Sequence, residues 1–155
     1  MLSQTNEYAL RAAVTLAHHE RRSLTTDQLA ELTGVPRGYL AKVLQQLRRA
    51  GIVSSRRGIR GGFTLARPAS ELTALSVVNA IDPLPVITSC PLGRAEHRAE
   101  LCPLHQTLQQ AELQLAGTLA GTTLAALSGN PTSPTNPTAS PLCEAPEQRD
   151  EARTS

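Results

Sequence analysis

The chain has 155 residues, 40% of them hydrophobic but only 2% aromatic, and a formal net charge of +2 at pH 7. That size admits one domain with attachments, and a core of Leu, Ala and Val favours helices over a large sheet. No apolar run approaches the ~18 residues of a membrane span. The N-terminal apolar stretch lacks a basic start and is interrupted by Arg11, so neither a span nor a signal peptide is expected, and a cytoplasmic location is.

Residues 7–20 read as a helix, with Ala9, Ala13 and Ala17 at four-residue spacing beside Leu10, Val14 and Leu16. Residues 24–35 read as a short helix and a turn. Thr25 or Thr26 caps its start, Leu29 and Leu32 form its inward face, and Gly34 takes the left-handed position that closes it. Pro36 then stands where a new helix begins. That helix runs to about Ala50, with Leu40, Val43, Leu44 and Leu47 on one side. Arg37, Lys42, Gln45, Gln46, Arg48 and Arg49 occupy much of the rest. Two helices joined through a glycine turn, the second polar outside, form the helix-turn-helix pattern.

Residues 52–55 and 62–66 read as two strands, joined by Arg56-Arg57-Gly58-Ile59-Arg60-Gly61. Glycines let the backbone approach closely, and arginines reach phosphates or a narrow minor groove. Helix-turn-helix plus basic hairpin predicts a winged helix, mainly α with a small β-wing, that binds double-stranded DNA. Charge agrees. Residues 1–70 hold 11 Lys+Arg against 4 Asp+Glu, a balance of +7, while residues 71–155 hold 4 against 9, a balance of −5. Of the 15 basic residues only Lys42 is not arginine.

A short helix is expected within residues 71–83. A long one is expected from Pro103 to about Leu127, with Leu104, Leu108, Ala111, Leu115 and Leu119 on one stripe. A long helix at the end of a small domain has little to pack on within one chain, so pairing with a second copy is expected. Residues 129–155, with five prolines and many Ser, Thr and acidic residues, have the composition of a disordered tail, and Cys143 within it reads as incidental.

Between the two helices lies CPLGRAEHRAELCPLH, residues 90–105. Cys90 and Cys102 each open a Cys-Pro-Leu unit, and His105 follows the second by three. Thiolate and imidazole are the soft donors that zinc and iron–sulfur clusters use, and three cysteines in such a chain argue against a disulfide framework. If each Cys-Pro step opens a helical turn, free amides point at the sulfur, which favours metal binding or oxidation. No P-loop, dinucleotide glycine fingerprint, H-E-x-x-H or G-x-S-x-G is present, so no enzyme activity is expected.

Four segments together resemble the Rrf2 family of bacterial transcription regulators over roughly residues 1–127. They are Tyr8-Ala9-Leu10-Arg11, Gly38-Tyr39-Leu40-Ala41-Lys42-Val43-Leu44, Ala50-Gly51-Ile52-Val53, and the wing from Arg57 to Ala66. The resemblance implies a homodimer, with the long helix crossing to the partner, that acts as repressor or activator, repression being the first expectation. Many members sense iron–sulfur status, nitric oxide or redox state through a cluster held in the loop before that helix. Others sense a small molecule or a partner protein without one.

Cluster-binding members typically carry three loop cysteines. Cys90 and Cys102 match the first and third, while the middle position is Glu96. His105 matches a histidine ligand of one type, and Glu7 matches an acidic ligand supplied by the partner subunit's first helix in others. Two thiolates, an imidazole and a carboxylate suit a [2Fe–2S] cluster better than a [4Fe–4S] one. Glu96 is the alternative carboxylate and His97 a further nitrogen. A Cys90–Cys102 disulfide, a zinc site or a structural loop remain alternatives.

The expected organisation is a DNA-binding domain over residues 1–83, a sensor loop over 84–102, a dimerisation helix over 103–128 and the tail. Arg37 and Tyr39 are expected to hold phosphates, Lys42 and Gln45 to reach base edges, and Arg57 and Arg60 to act from the wing.

Overall fold

The structure, a computed structural model, describes residues 2–58, 61–85 and 102–129. Cys90, Glu96, His97, Cys143, Arg60 and the tail lie outside the described residues. Six helices and a hairpin follow in order: α1 (Gln4–His18), α2 (Thr26–Thr33), α3 (Arg37–Arg49), β1 (Val53–Arg56), β2 (Gly62–Leu65), α4 (Ala74–Ile81), α5 (Pro103–Gly121) and α6 (Leu124–Leu127).

The centre is α1. Ala9, Ala12, Ala13 and Ala17 are wholly buried there, and their small side chains let α2, α3, α4 and α6 close around one helix. Leu16, Leu29, Leu40, Leu44 and Leu47 fill the space between. Each such leucine contributes about 1.5–3 kcal/mol by leaving water.

Thr25 caps α2 through a capping box, its hydroxyl taking the Gln28 amide and its own amide donating to Gln28 Oε1. Gly34 closes the helix at φ 67°, a conformation any side chain would strain. One expectation fails here. Leu29 is buried, but Leu32 is 51% exposed. In a helix of eight residues flanked by α1 and α3, only one turn-spaced position meets the core, and Leu32 falls on its outer edge.

The wing is an antiparallel pair with Val53 opposite Leu65, Ser54 opposite Thr64, Ser55 opposite Phe63 and Arg56 opposite Gly62. Leu24 adds a single-residue third strand, exchanging both backbone hydrogen bonds with Phe63 at 3.0 and 2.8 Å. Gly62 sits at φ 153°, and a Cβ there would lie 2.7 Å from the Leu24 carbonyl oxygen. Alternation of faces puts Arg56 and Thr64 on the side opposite Val53 and Phe63.

The C-terminal helix is shorter than its apolar pattern predicts. It stops at Gly121, the chain extends through Thr122, and Thr123 caps a separate turn, α6. The reason is a docking contact. The carbonyl of Thr122 accepts from Ala74, while Leu124 and Ala125 donate to the carbonyls of Leu72 and Ala69 and bury their side chains. Two consecutive threonines suit this extended step better than continued helix.

Candidate DNA interface and sensor centre

The outer face of α3 is set by geometry. With Leu40, Val43, Leu44 and Leu47 buried, the middle of the opposite side carries Gly38, Lys42, Gln45 and Arg49 at helical spacing, all exposed. Lys42 and Gln45 therefore stand where a base-reading side chain would. Arg49 shares that face one turn further on, a position the sequence pattern gave no reason to separate from Arg48. Arg48 instead donates to Ser55 Oγ at 3.2 Å and braces β1 against the helix.

At the start of α3, Arg37 Nε meets Asp27 Oδ1 at 3.0 Å, both side chains well exposed. Such a pair contributes little and is readily exchanged for a phosphate. It also fixes the first turn of α2 beside the first residue of α3. Tyr39 is 60% exposed and tilts against Tyr8 of α1, with ring centroids 6.1 Å apart. Arg57 projects from the wing into solvent.

Cys102 is the N-cap of α5, with Pro103 at its first position, and its Sγ accepts from the His105 amide at 3.5 Å. The expectation that this Cys-Pro step opens a helix holds for Cys102. Cys102 and His105 are 6% and 4% exposed, one turn apart. Glu7 is exposed in the first turn of α1, apart from them and facing outward. Among the described residues no three potential ligands converge. Cys102 and His105 are thus two buried side chains, one turn apart, of the thiol and imidazole types that can ligate a [2Fe–2S] cluster.

One group near Glu7 had no signature in the sequence. Asn6 is 2% exposed, its Nδ2 donates to the Asp82 carbonyl at 2.9 Å, and its Oδ1 makes no hydrogen bond. It ties the first turn of α1 to the point where the Cys/His segment departs from α4.

The profile of the Rrf2 family, described as an iron-dependent transcriptional regulator, matches residues 2–130. The chain belongs to the Rrf2 family. A Mycobacterium tuberculosis protein named for an HTH-type transcriptional regulator is 34% identical over 130 residues, covering 83% of this chain and 81% of its own. A similarly named Aquifex aeolicus protein is 29% identical over 127 residues, covering 80% and 88%. In structure the chain is similar to CymR, the global cysteine regulator of B. subtilis (TM-score 0.67, 22% identity, 83% of this chain and 96% of that one). It is also similar to T. potens IscR (TM-score 0.69, 22% identity, 82% and 85%). The protein is accordingly a DNA-binding winged-helix transcriptional regulator and not an enzyme. No helix among the described residues is long and apolar enough to cross a membrane.

Proposed function

We propose that this Rrf2 protein is a cytoplasmic, homodimeric operator-binding repressor. Its grip on DNA is governed by an iron–sulfur cluster, [2Fe–2S] in type, or by the redox state of the same thiols. Cys90, Cys102 and His105 are the proposed ligands, completed by Glu7 of the partner subunit or by Glu96. The observation that carries this reading is the burial of Cys102 and His105 on the first turn of α5, most of whose other residues are exposed. A helix start otherwise free to face water has drawn in a thiol and an imidazole together.

The cluster, when bound, supplies a one-electron redox centre whose loss frees its ligands. The protein's own residues do the rest. Cys102 fixes the start of α5 through its helix cap, and Asn6 joins α1 to the end of α4. Arg37, Tyr39, Lys42, Gln45, Arg57 and Arg60 hold the operator. Residues 1–83 thus read DNA, 84–102 sense and 103–128 dimerise. Dimerisation is supported by α5 itself. Its half-buried line is Gln109, Glu112, Ala116 and Leu119, while Leu104, Leu108 and Leu115 lie exposed on its flank. Leucines turned away from their own subunit fit a second copy.

Protein purified without oxygen should absorb visible light and carry iron and sulfide, and Cys102→Ala should abolish both signals. Colourless, iron-free wild-type protein would refute the cluster. The thiol switch then predicts loss of two hydrogens per chain on mild oxidation, with operator affinity changing in step. Glu96, standing where a third cysteine would, keeps that second reading in place.

A further inference from the structure

A groove of about 740 Å³ is bounded by the α1–α2 connector, the first turn of α2 and the outer face of the wing. Arg21, Arg22 and Arg56 line it together with Thr25, Gln28 and Gly61. All three arginines are exposed. Among the described residues none of their guanidinium groups makes a hydrogen bond or an ion pair, whereas that of Arg37 holds Asp27. Glu20 also lines the groove, but its Oε1 accepts from the Ala69 amide at 2.8 Å and that oxygen is spoken for. The groove is therefore a concave surface with three uncommitted guanidiniums and one carboxylate drawn partly aside.

Its position says what would fill it. One edge is the first turn of α2, which the Asp27–Arg37 pair joins to the start of the recognition helix. The other edge is Arg56 and Gly61, at the root of the wing tip. A duplex with α3 in its major groove and the wing tip in the adjoining minor groove must carry one phosphate strand across the gap between them. This groove lies on the α2 side of that crossing, between the first turn of α2 and the outer face of the wing.

We propose that the groove is a phosphate-strand channel in which Arg21, Arg22 and Arg56 grip the DNA backbone between the two reading elements. The proposal rests on the reading of α3 and the wing as the DNA face. It assigns to these three residues, as to Arg57 of the wing, a sequence-independent share of affinity, and to Lys42 and Gln45 the discrimination.

The test titrates full-length protein with a random-sequence duplex over a range of salt concentrations. Each phosphate contact contributes about 0.9 to the slope of log affinity against log salt. Arg21→Ala/Arg22→Ala/Arg56→Ala should flatten that slope by roughly 2–3, with the thermal melt unchanged because the side chains are exposed. The matching triple lysine variant should keep most of it. A wild-type slope in the alanine variant overturns the proposal, and so does an equal loss in the lysine variant, since charge would then not be the cause. Arg57→Ala is measured alongside. If it weakens binding and the alanine triple does not, the channel alone falls. If neither changes binding, the wing reading falls with it.

Discussion

Two helices, α3 of 13 residues and α5 of 19, differ in how completely their own chain finishes them. The recognition helix places four large apolar side chains in the core and turns a polar face outward. Along α5 the only buried helix residue is His105, while Leu104, Leu108, Leu113 and Leu115 on it are exposed, Leu113 the most of any described leucine. One helix is stabilised by its own subunit. The other is held at its ends and leaves most of its length exposed. The helix that carries the DNA-facing residues is thus fixed by its own subunit, and the proposed dimerisation helix is the element with apolar surface left uncovered.

The contrast breaks most visibly in the core. Leu44→Ala should cost about 2–5 kcal/mol of unfolding free energy by urea titration, because a wholly buried leucine leaves a cavity between α1 and α3. A cost near zero would show that α3 is not fixed by its own subunit. Leu115→Glu should leave the monomer's fold intact but halve the mass measured by light scattering. Operator affinity should then fall about 10²-fold or more as two-site binding is lost. A variant that stays dimeric would place the interface elsewhere. The smallest effect is expected at α2, where Thr25→Ala removes one half of the capping box and should cost about 1 kcal/mol. An unchanged melting temperature would show that α3 and the bridge of Leu24 to the wing hold α2 without its cap.

The winged helix was legible because local chemistry agrees with the fold at each step: a capping threonine, Gly34 at positive φ, Pro36, and a four-residue apolar face on α3. The misjudged points share one cause, that they depend on contacts between distant segments. Leu32 fits the helical period yet stays half exposed at the rim of a hollow with Val14 and Leu127, and the apolar pattern running past Gly121 gives way to backbone pairing with residues 69–74. The channel arginines were invisible for the same reason. Arg21 and Arg22 fall between the two helices predicted over residues 7–20 and 24–35, and it is the bridge of Leu24 to Phe63 that brings them beside Arg56. Of the proposed ligands, the structure describes Cys102 and His105 one turn apart at the start of α5, both buried, and Glu7 exposed on α1. Asn6, in contrast, announces itself only by its burial.

The return of the chain after α5 has a mechanical consequence. Residues 69–74 connect the wing to α4. Within that strap Ala69 is bonded to Glu20 at the end of α1 and to Ala125, while Leu72 holds Leu124 and Ala74 holds Thr122. A rod of 19 residues, about 28 Å long at 1.5 Å per residue, is therefore mounted on the same strap that carries the wing. Its fulcrum lies at the far end from Cys102. A tilt of the rod at its Cys102 end would be carried through these backbone bonds to the strap, and through the strap to the wing.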